Sequence, residues 1–139
     1  MATGARDVNA QSRARDGRNE RPGLVHIHNF FPLVSPAAHC AAKATGLPMV
    51  QTLHNYRLIC PCALLYRDGG VCEDCVGRSI PWPGVRHRCY RHSATASAAV
   101  AAMLSVHRMA GTYRRAVHRY IALSRFARGR LVRGGVPAA

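Results

Sequence analysis

Five of the six cysteines lie between positions 60 and 89, and thiolates are strong ligands for zinc. They are Cys60, Cys62, Cys72, Cys75 and Cys89. Cys72 and Cys75 have the two-residue spacing with which a pair of thiolates grips one tetrahedral zinc ion. Cys60 and Cys89 would complete the set of four, with Cys62 as a substitute. His87 or His92 would serve as further substitutes. The pattern predicts a structural zinc site that folds a long loop, and unpaired thiols on an ordinary loop are the alternative.

Polar residues stand at the end of, or just after, each of three short apolar runs. Binding residues are often found at such strand ends. The positions are His28 at the end of 24–28, His54 and Asn55 after 47–53, and Ser124 after 119–123. An imidazole exchanges protons and hydrogen bonds near neutral pH. In parallel α/β sheets, ligands bind beyond the carboxyl ends of the strands, so these positions predict one shared site. His26 and His28 also form a His-x-His pair, for which zinc binding is the alternative to packing or lining a cleft.

Start and stop signals predict the elements that position these residues. Ser35 and Pro36 begin a helix over 36–45, and Gly46 ends it. This helix lies between strands at 24–28 and 47–53, which predicts a βαβ crossover with parallel pairing. The other predicted elements are a helix over 94–109 capped by Ser93 and ended by Gly111, a short helix over 113–118, a strand over 119–123, and a helix over 125–132 capped by Ser124. The predicted fold class is α/β, a partial Rossmann-like parallel sheet with a cysteine-rich loop insertion at 55–92.

The chain is strongly basic, with 20 Lys and Arg against 6 Asp and Glu and a formal net charge of +14. Such a charge favours phosphorylated ligands, anionic membrane surfaces or nucleic acid as partners. The sequence has no G-x-G-x-x-G or Walker pattern, so it does not predict a glycine loop around phosphates. Residues 1–20 are polar and charged, and they predict a disordered tail ahead of a folded part at 21–137.

The sequence predicts a cytoplasmic chain. Its first residues lack the basic-then-apolar order of a signal peptide, and the apolar stretch 94–106 is too short to cross a bilayer. Peripheral contact with an anionic membrane at its inner face stays open. In a reducing cytosol the cysteines are expected as thiols or metal ligands, and Cys40, among helical alanines, is expected to be a buried inert thiol.

Three segments carry a resemblance to a known family. They are Arg-Pro-Gly-Leu-Val-His-Ile-His-Asn at 21–29, Pro-Met-Val-Gln-Thr-Leu-His-Asn-Tyr-Arg at 48–57, and Tyr-Ile-Ala-Leu-Ser-Arg-Phe-Ala at 120–127. Together with Cys-Pro after His-Asn-Tyr-Arg-Leu-Ile, the Cys-x-x-Cys and Arg-His-Arg-Cys-Tyr, they resemble the N-terminal, acceptor-side domain of family-4 glycosyltransferases with a cysteine-rich insertion. The similarity covers about residues 21–137. It implies half of a GT-B fold, which has two Rossmann-like domains.

The resemblance implies transfer of a sugar from a nucleotide-sugar donor to a glycan or lipid-linked acceptor, with retention of configuration. Such a reaction belongs to surface polysaccharide or glycolipid assembly. The resemblance implies that His54 is the catalytic residue and faces the cleft near the reacting sugar. Its implied substrate-binding residues are His28, Asn29, Asn55, Ser124 and Arg125. Arginines facing the cleft would hold the donor phosphates.

The sequence also departs from the family. The donor-binding domain with its glutamate pair and the opening strand with its glycine-rich loop have no counterpart, and Cys62 replaces an expected small polar residue. We therefore expect a fragment that is inactive alone. Two other interpretations stay open: a small zinc-stabilised nucleic-acid-binding module, and an inactive remnant of a truncated gene. Against nucleic acid, the arginines are spread along the chain and are not interleaved with aromatic residues.

Overall fold

Three short parallel strands form the centre of the protein. A computed structural model describes residues 22–28, 31 and 36–138. The elements in chain order are β1 (Val25–His28), α1 (Ala37–Ala44), β2 (Met49–Leu53), β3 (Tyr66–Arg67), β4 (Gly70–Val71), α2 (Trp82–Arg86), α3 (Ala94–Met109), α4 (Thr112–Ala116), β5 (Arg119–Ala122) and α5 (Arg125–Arg133). This is a mixed α/β structure, as predicted. The predicted tail at 1–20 and the predicted cap Ser35 lie outside the described residues.

The strands pair in the order β1-β2-β5, and both pairings are parallel. Helix α1 connects β1 to β2, which confirms the predicted crossover, because parallel neighbours cannot be joined by a tight turn. Local signals set the helix ends. Gly46 has φ 72°, and Ser93 and Ser124 accept hydrogen bonds from the backbone N–H groups of Ala96 and Ala127.

One face of the sheet is packed against α1 and α4. A core cluster on this side holds Ala42, Met49, Ala116 and Val117. His39 of α1 is fully buried, and its Nε2 donates a hydrogen bond to Oε1 of Gln51 on β2 at 2.8 Å. Because α1 presents His39 and Ala42 to the sheet, Cys40 lies on its outer side. Cys40 is exposed, so the expectation of a buried thiol is wrong.

Helix α4 ends two residues before the predicted boundary at 118. The backbone of Val117 is already extended. His118 then makes two hydrogen bonds with the backbone of Met49 on β2. Its backbone N–H donates to the Met49 carbonyl at 2.8 Å, and its Nδ1 accepts from the Met49 N–H at 3.0 Å. The pairing with β2 therefore outweighs the helical tendency of this segment.

The opposite face of the sheet is open at both edge strands. The register places His28, Thr52 and Ile121 in one row across the sheet. His28 and Ile121 are exposed, and so are His26 and Arg119 in the row before. Parallel sheets are usually covered on both faces, so this face is the unusual feature of the fold.

The cysteine-rich insertion (residues 55–92) packs on the sheet instead of extending from it. Its Leu58, Ile59 and Leu65 share one core cluster with Leu53 of β2 and Leu131 of α5. The insertion also contains a two-strand hairpin, β3–β4, that the sequence analysis did not predict. Its turn residues Asp68 and Gly69 have φ 50° and 83°, the conformation that an Asp-Gly pair favours.

None of the helices within 22–28 and 36–138 is long and apolar enough to cross a membrane.

Candidate functional site at the carboxyl end of the sheet

Two histidines meet where β1 and β2 end. The parallel register sets His28 beside Thr52, and His54 follows two residues later, on the same side as Thr52. The Nδ1 atom of His28 lies 3.1 Å from Nε2 of His54, and both side chains are exposed. The His26 ring stacks at 4.1 Å from that of His28, and its Nε2 is 2.9 Å from Thr52 Oγ1. The structure thus brings together the predicted residues His28 and His54.

His28 and His54 form a hydrogen bond in which one ring donates an N–H and the other accepts it on a lone pair. Each ring has a second nitrogen, which is the atom that a hydroxyl-bearing ligand would contact. Such a pair can act in hydrogen bonding to sugar hydroxyls or in proton transfer at neutral pH.

Asn55 shapes the turn that follows His54. Its Oδ1 accepts a hydrogen bond from the backbone N–H of Arg57 at 3.0 Å. The Asn55 carbonyl oxygen is therefore engaged in the local turn, in the manner of an Asx-turn.

Arg57 is a residue of this region that the sequence analysis did not single out. Its guanidinium lies over the rings of Phe31 and Tyr90, at 4.7 and 5.1 Å from their centres, and donates to the carbonyl of Pro61. Burial lowers the pKa of Arg57, although Tyr90 and two nearby thiols act in the opposite direction. The motifs His-Asn-Tyr-Arg and Arg-His-Arg-Cys-Tyr therefore meet through this cation–π contact.

A pocket opens between the end of β2 and this turn. Its lining consists of Phe31, Gln51, Thr52, Leu53, Asn55, Arg57 and Leu58. It has room for about one water molecule. A sugar ring does not fit, so a ligand of that size would lie on the open edge of the sheet.

Ser124 and Arg125 stand at the next position along the same edge. Leu53 pairs with Ala122, so the residues after β5 run beside those after β2. The Oγ of Ser124 accepts from the backbone N–H of Ala127 at 3.1 Å and caps α5, and Arg125 is exposed. Asn29, the remaining predicted binding residue, lies outside the described residues.

The thiols of the insertion gather in a second place. The sulfur atoms of Cys60 and Cys62 are 3.3 Å apart. A hydrogen bond from Cys60 lowers the pKa of Cys75, while burial acts against the shift. Cys72 and Cys89 lie close enough to Cys75 to interact with it electrostatically. Within the described ranges, however, no three His, Cys, Asp or Glu side chains are already arranged as ligands of one metal ion.

Comparisons with protein-family models, with curated proteins and with solved structures found no match for this chain. The resemblance to family-4 glycosyltransferases therefore stays a prediction from sequence motifs. What the fold establishes is coarser: a mixed α/β structure with a small parallel sheet of three strands.

Proposed function

We propose that this chain forms the acceptor-side wall of the active site in a retaining glycosyltransferase. In the complete enzyme, a sugar would pass from a nucleotide-sugar donor to a glycan or lipid-linked acceptor. The observation that supports this proposal is the contact of His28 with His54, 3.1 Å apart at the carboxyl end of the parallel sheet. In this role, His54 hydrogen-bonds hydroxyls of the reacting sugar, and His28 orients the His54 ring.

The site is open, as expected for one wall of an active site that a second domain would complete. The pocket at the end of β2 holds about one water molecule, and His28 and His54 are exposed beside it. Transfer of a sugar requires that water be kept from the reacting carbon, which an open edge cannot do. A second domain would close this edge, and we expect the chain by itself to show no turnover of nucleotide sugars.

The charge of the chain suits an anionic donor. Arg125 is the first residue of α5, and the N-terminus of a helix also attracts negative charge. Ser124 immediately precedes it and stands on the same sheet edge as His54. We assign Arg125 to the donor phosphates, and Ser124 and Asn55 to the same cleft.

Binding by the chain tests this proposal. A ¹⁵N-labelled sample is titrated with a panel of nucleoside diphosphate sugars, and backbone shifts are followed by NMR. Shifts are expected at His28, His54 and Arg125, and His54→Ala should weaken the binding about tenfold, the effect of one lost hydrogen bond in a polar site. His87→Ala removes an exposed histidine at the end of α2 and is the matched control. Shifts confined to other surfaces, or equal losses in the two variants, would contradict the proposal.

The contacts of the aromatic rings argue against the alternative of a nucleic-acid-binding module. Arginines of the chain itself lie over four of them: Phe31, Tyr90, Trp82 and Phe126. A surface that binds single strands needs such rings open for base stacking. Steeply salt-dependent binding of DNA or RNA by the purified chain would reverse this conclusion.

A further inference from the structure

Cys60 and Cys62 lie in one tight turn with their sulfur atoms in contact. The backbone N–H of Ala63 donates to the Cys60 carbonyl at 3.0 Å, which closes a β-turn with Pro61 at its second position, where proline is favoured. The two sulfurs are 3.3 Å apart and share a hydrogen bond. A disulfide bond is about 2.0 Å long, so these sulfurs need to approach by only about 1.3 Å to form one.

The other cysteines are placed differently. The spacing of Cys72 and Cys75 is the one common in redox-active dithiols. Within residues 36–138, however, these two thiols interact through charge, and no hydrogen bond joins their sulfurs. Cys40 is exposed on the outer side of α1, in another part of the chain. The pair that the structure already places for bond formation is therefore Cys60 with Cys62.

The two thiols of this pair differ in their access to solvent. Cys60 is 5% exposed, whereas Cys62 is half-buried. Besides Cys60, the sulfur of Cys62 contacts the carbonyl oxygen of Tyr66 at 3.8 Å. A small reagent therefore reaches Cys62 first, and Cys60 lies ready to attack the sulfur beside it. Reversible thiol sites commonly have such a resolving cysteine next to the reactive one.

Arg57 brings positive charge to the same turn. Its guanidinium donates to the carbonyl of Pro61 and lies close enough to Cys60 and Cys62 to interact with their charge. A nearby cation favours the thiolate, which is the species that attacks a disulfide. Acting against this, the hydrogen bond to Cys60 and burial raise the pKa of the Cys62 thiol. The Cys62 thiolate is therefore scarce at neutral pH, and its exchange reactions are slow.

We propose that Cys60 and Cys62 form a reversible disulfide by exchange with a small disulfide of the glutathione type. Cys62 releases its proton to solvent and attacks one sulfur of the small disulfide, whose other half leaves as a thiolate and takes up a proton. Cys60 then loses its proton and attacks Sγ of Cys62, which releases the second half in the same way. Two protein thiols are oxidised to one disulfide, and one small disulfide is reduced to two thiols. This inference does not depend on the proposed glycosyltransferase role.

Tryptic mapping tests this proposal, because cleavage after Arg57 and Arg67 leaves both cysteines in peptide 58–67. The reduced chain is incubated with oxidised glutathione, free thiols are blocked with N-ethylmaleimide, and the peptides are measured by mass spectrometry. Peptide 58–67 should carry no label and be lighter than the reduced peptide by two hydrogen atoms, and dithiothreitol should reverse this change. Peptide 68–78, which contains Cys72 and Cys75, is the internal comparison and should carry a label on each thiol.

The pH dependence and two variants test the order of the steps. The rate of oxidation should rise about tenfold from pH 7 to pH 8, because the thiolate fraction of a thiol far below its pKa grows about tenfold with each pH unit. Cys60→Ser should stop at a mixed disulfide of Cys62 with glutathione. Cys72→Ser, the matched control, should still form the disulfide in peptide 58–67.

The unmodified chain alone can overturn the assignment, so the test does not depend on the folding of a variant. Failure of peptide 58–67 to oxidise at pH 8 would overturn it, and so would oxidation of peptide 68–78 before it. Glutathione that stays on Cys62 with no disulfide in peptide 58–67 would exclude Cys60 as the resolving residue. An unchanged preference for peptide 58–67 in concentrated urea would also contradict the proposal, because unfolding removes the turn that brings the two sulfurs together.

Discussion

Histidines serve three different purposes in this chain, and their surroundings decide which. His28 and His54 are exposed and contact each other at the sheet edge, where they can meet a ligand. His118 accepts a backbone N–H from Met49 and fixes the start of β5 against β2. His39 is buried beneath the sheet and donates to Gln51. Residue type alone does not separate these roles, because each depends on what lies across from the ring.

His39 makes the stability of the fold depend on pH. Burial lowers the pKa of His39, against the hydrogen bonds to Gln51 and to the backbone of Pro36, and His107 lowers it slightly further. The unfolded chain takes up a proton at this side chain below about pH 6.5, whereas the folded chain does so only at lower pH. The contribution of His39 is therefore complete above about pH 6.5 and is lost as the pH falls from there towards the folded pKa.

Unfolding in urea, followed by circular dichroism at a series of pH values, checks this expectation. The unfolding free energy should fall between about pH 7 and pH 5, and His39→Gln, which does not titrate, should flatten this fall. Its control is His87→Gln, at an exposed position. An equal slope in the unmodified chain and in His39→Gln would show that other groups cause the pH dependence.

At the scale of elements, α5 joins the insertion to the sheet. Glu73 forms ion pairs with Arg130 and Arg133 of α5, at 2.5 and 2.6 Å. Ile59 of the insertion is fully buried, and Gly134 at the end of α5 lies directly over it. A Cβ atom at position 134 would come within 2.3 Å of Ile59 Cγ2. The close approach of helix and insertion therefore needs glycine here.

Two glycines of the same region give a matched comparison. Gly134→Ala should lower the unfolding free energy by about 1–3 kcal/mol, because the methyl group overfills a packed contact. Gly129→Ala, inside α5 with no atom within 4 Å of the added Cβ, should raise it by about 0.5–1 kcal/mol. Urea unfolding of the two variants measures both effects. Equal effects would mean that α5 does not dock on Ile59.

At the scale of the whole molecule, the open sheet face and the net charge have opposite effects on self-association of the chain. Ile121 and Leu123 are 46% and 63% exposed, and Leu24, just before the other edge strand, is also exposed. Exposed apolar side chains of this size promote association. A net charge of +14 opposes association, and salt screens that repulsion.

We expect the isolated chain to associate increasingly as salt is raised, measured by light scattering with size-exclusion chromatography. The double variant Ile121→Thr/Leu123→Ser should be more monomeric with little change in melting temperature, because both side chains are exposed. Leu104→Ala is the contrasting control: Leu104 is fully buried, and its loss should cost about 2–5 kcal/mol. A large loss of stability in the double variant would show that the face is covered in solution.

Much of the fold could be predicted because its signals are local. Helix α3 runs from Ala94 to Met109 as predicted, since Ser93 caps it and the chain turns at Gly111 with φ 68°. The crossover from β1 to β2 followed from a short helix between two apolar runs. The hairpin β3–β4 was missed, although Asp68-Gly69 was a usable signal for it.

The sequence by itself determined the elements outside the insertion, the parallel pairing and the edge at which polar residues collect. Only the tertiary structure decided which of these polar residues contact each other. The hydrogen bond of His28 with His54 spans 26 residues, and the place of Arg57 between Phe31 and Tyr90 joins three separate segments. Such contacts depend on strand register and on packing between distant segments. Turn and cap signals act over a few residues and carry no information about either.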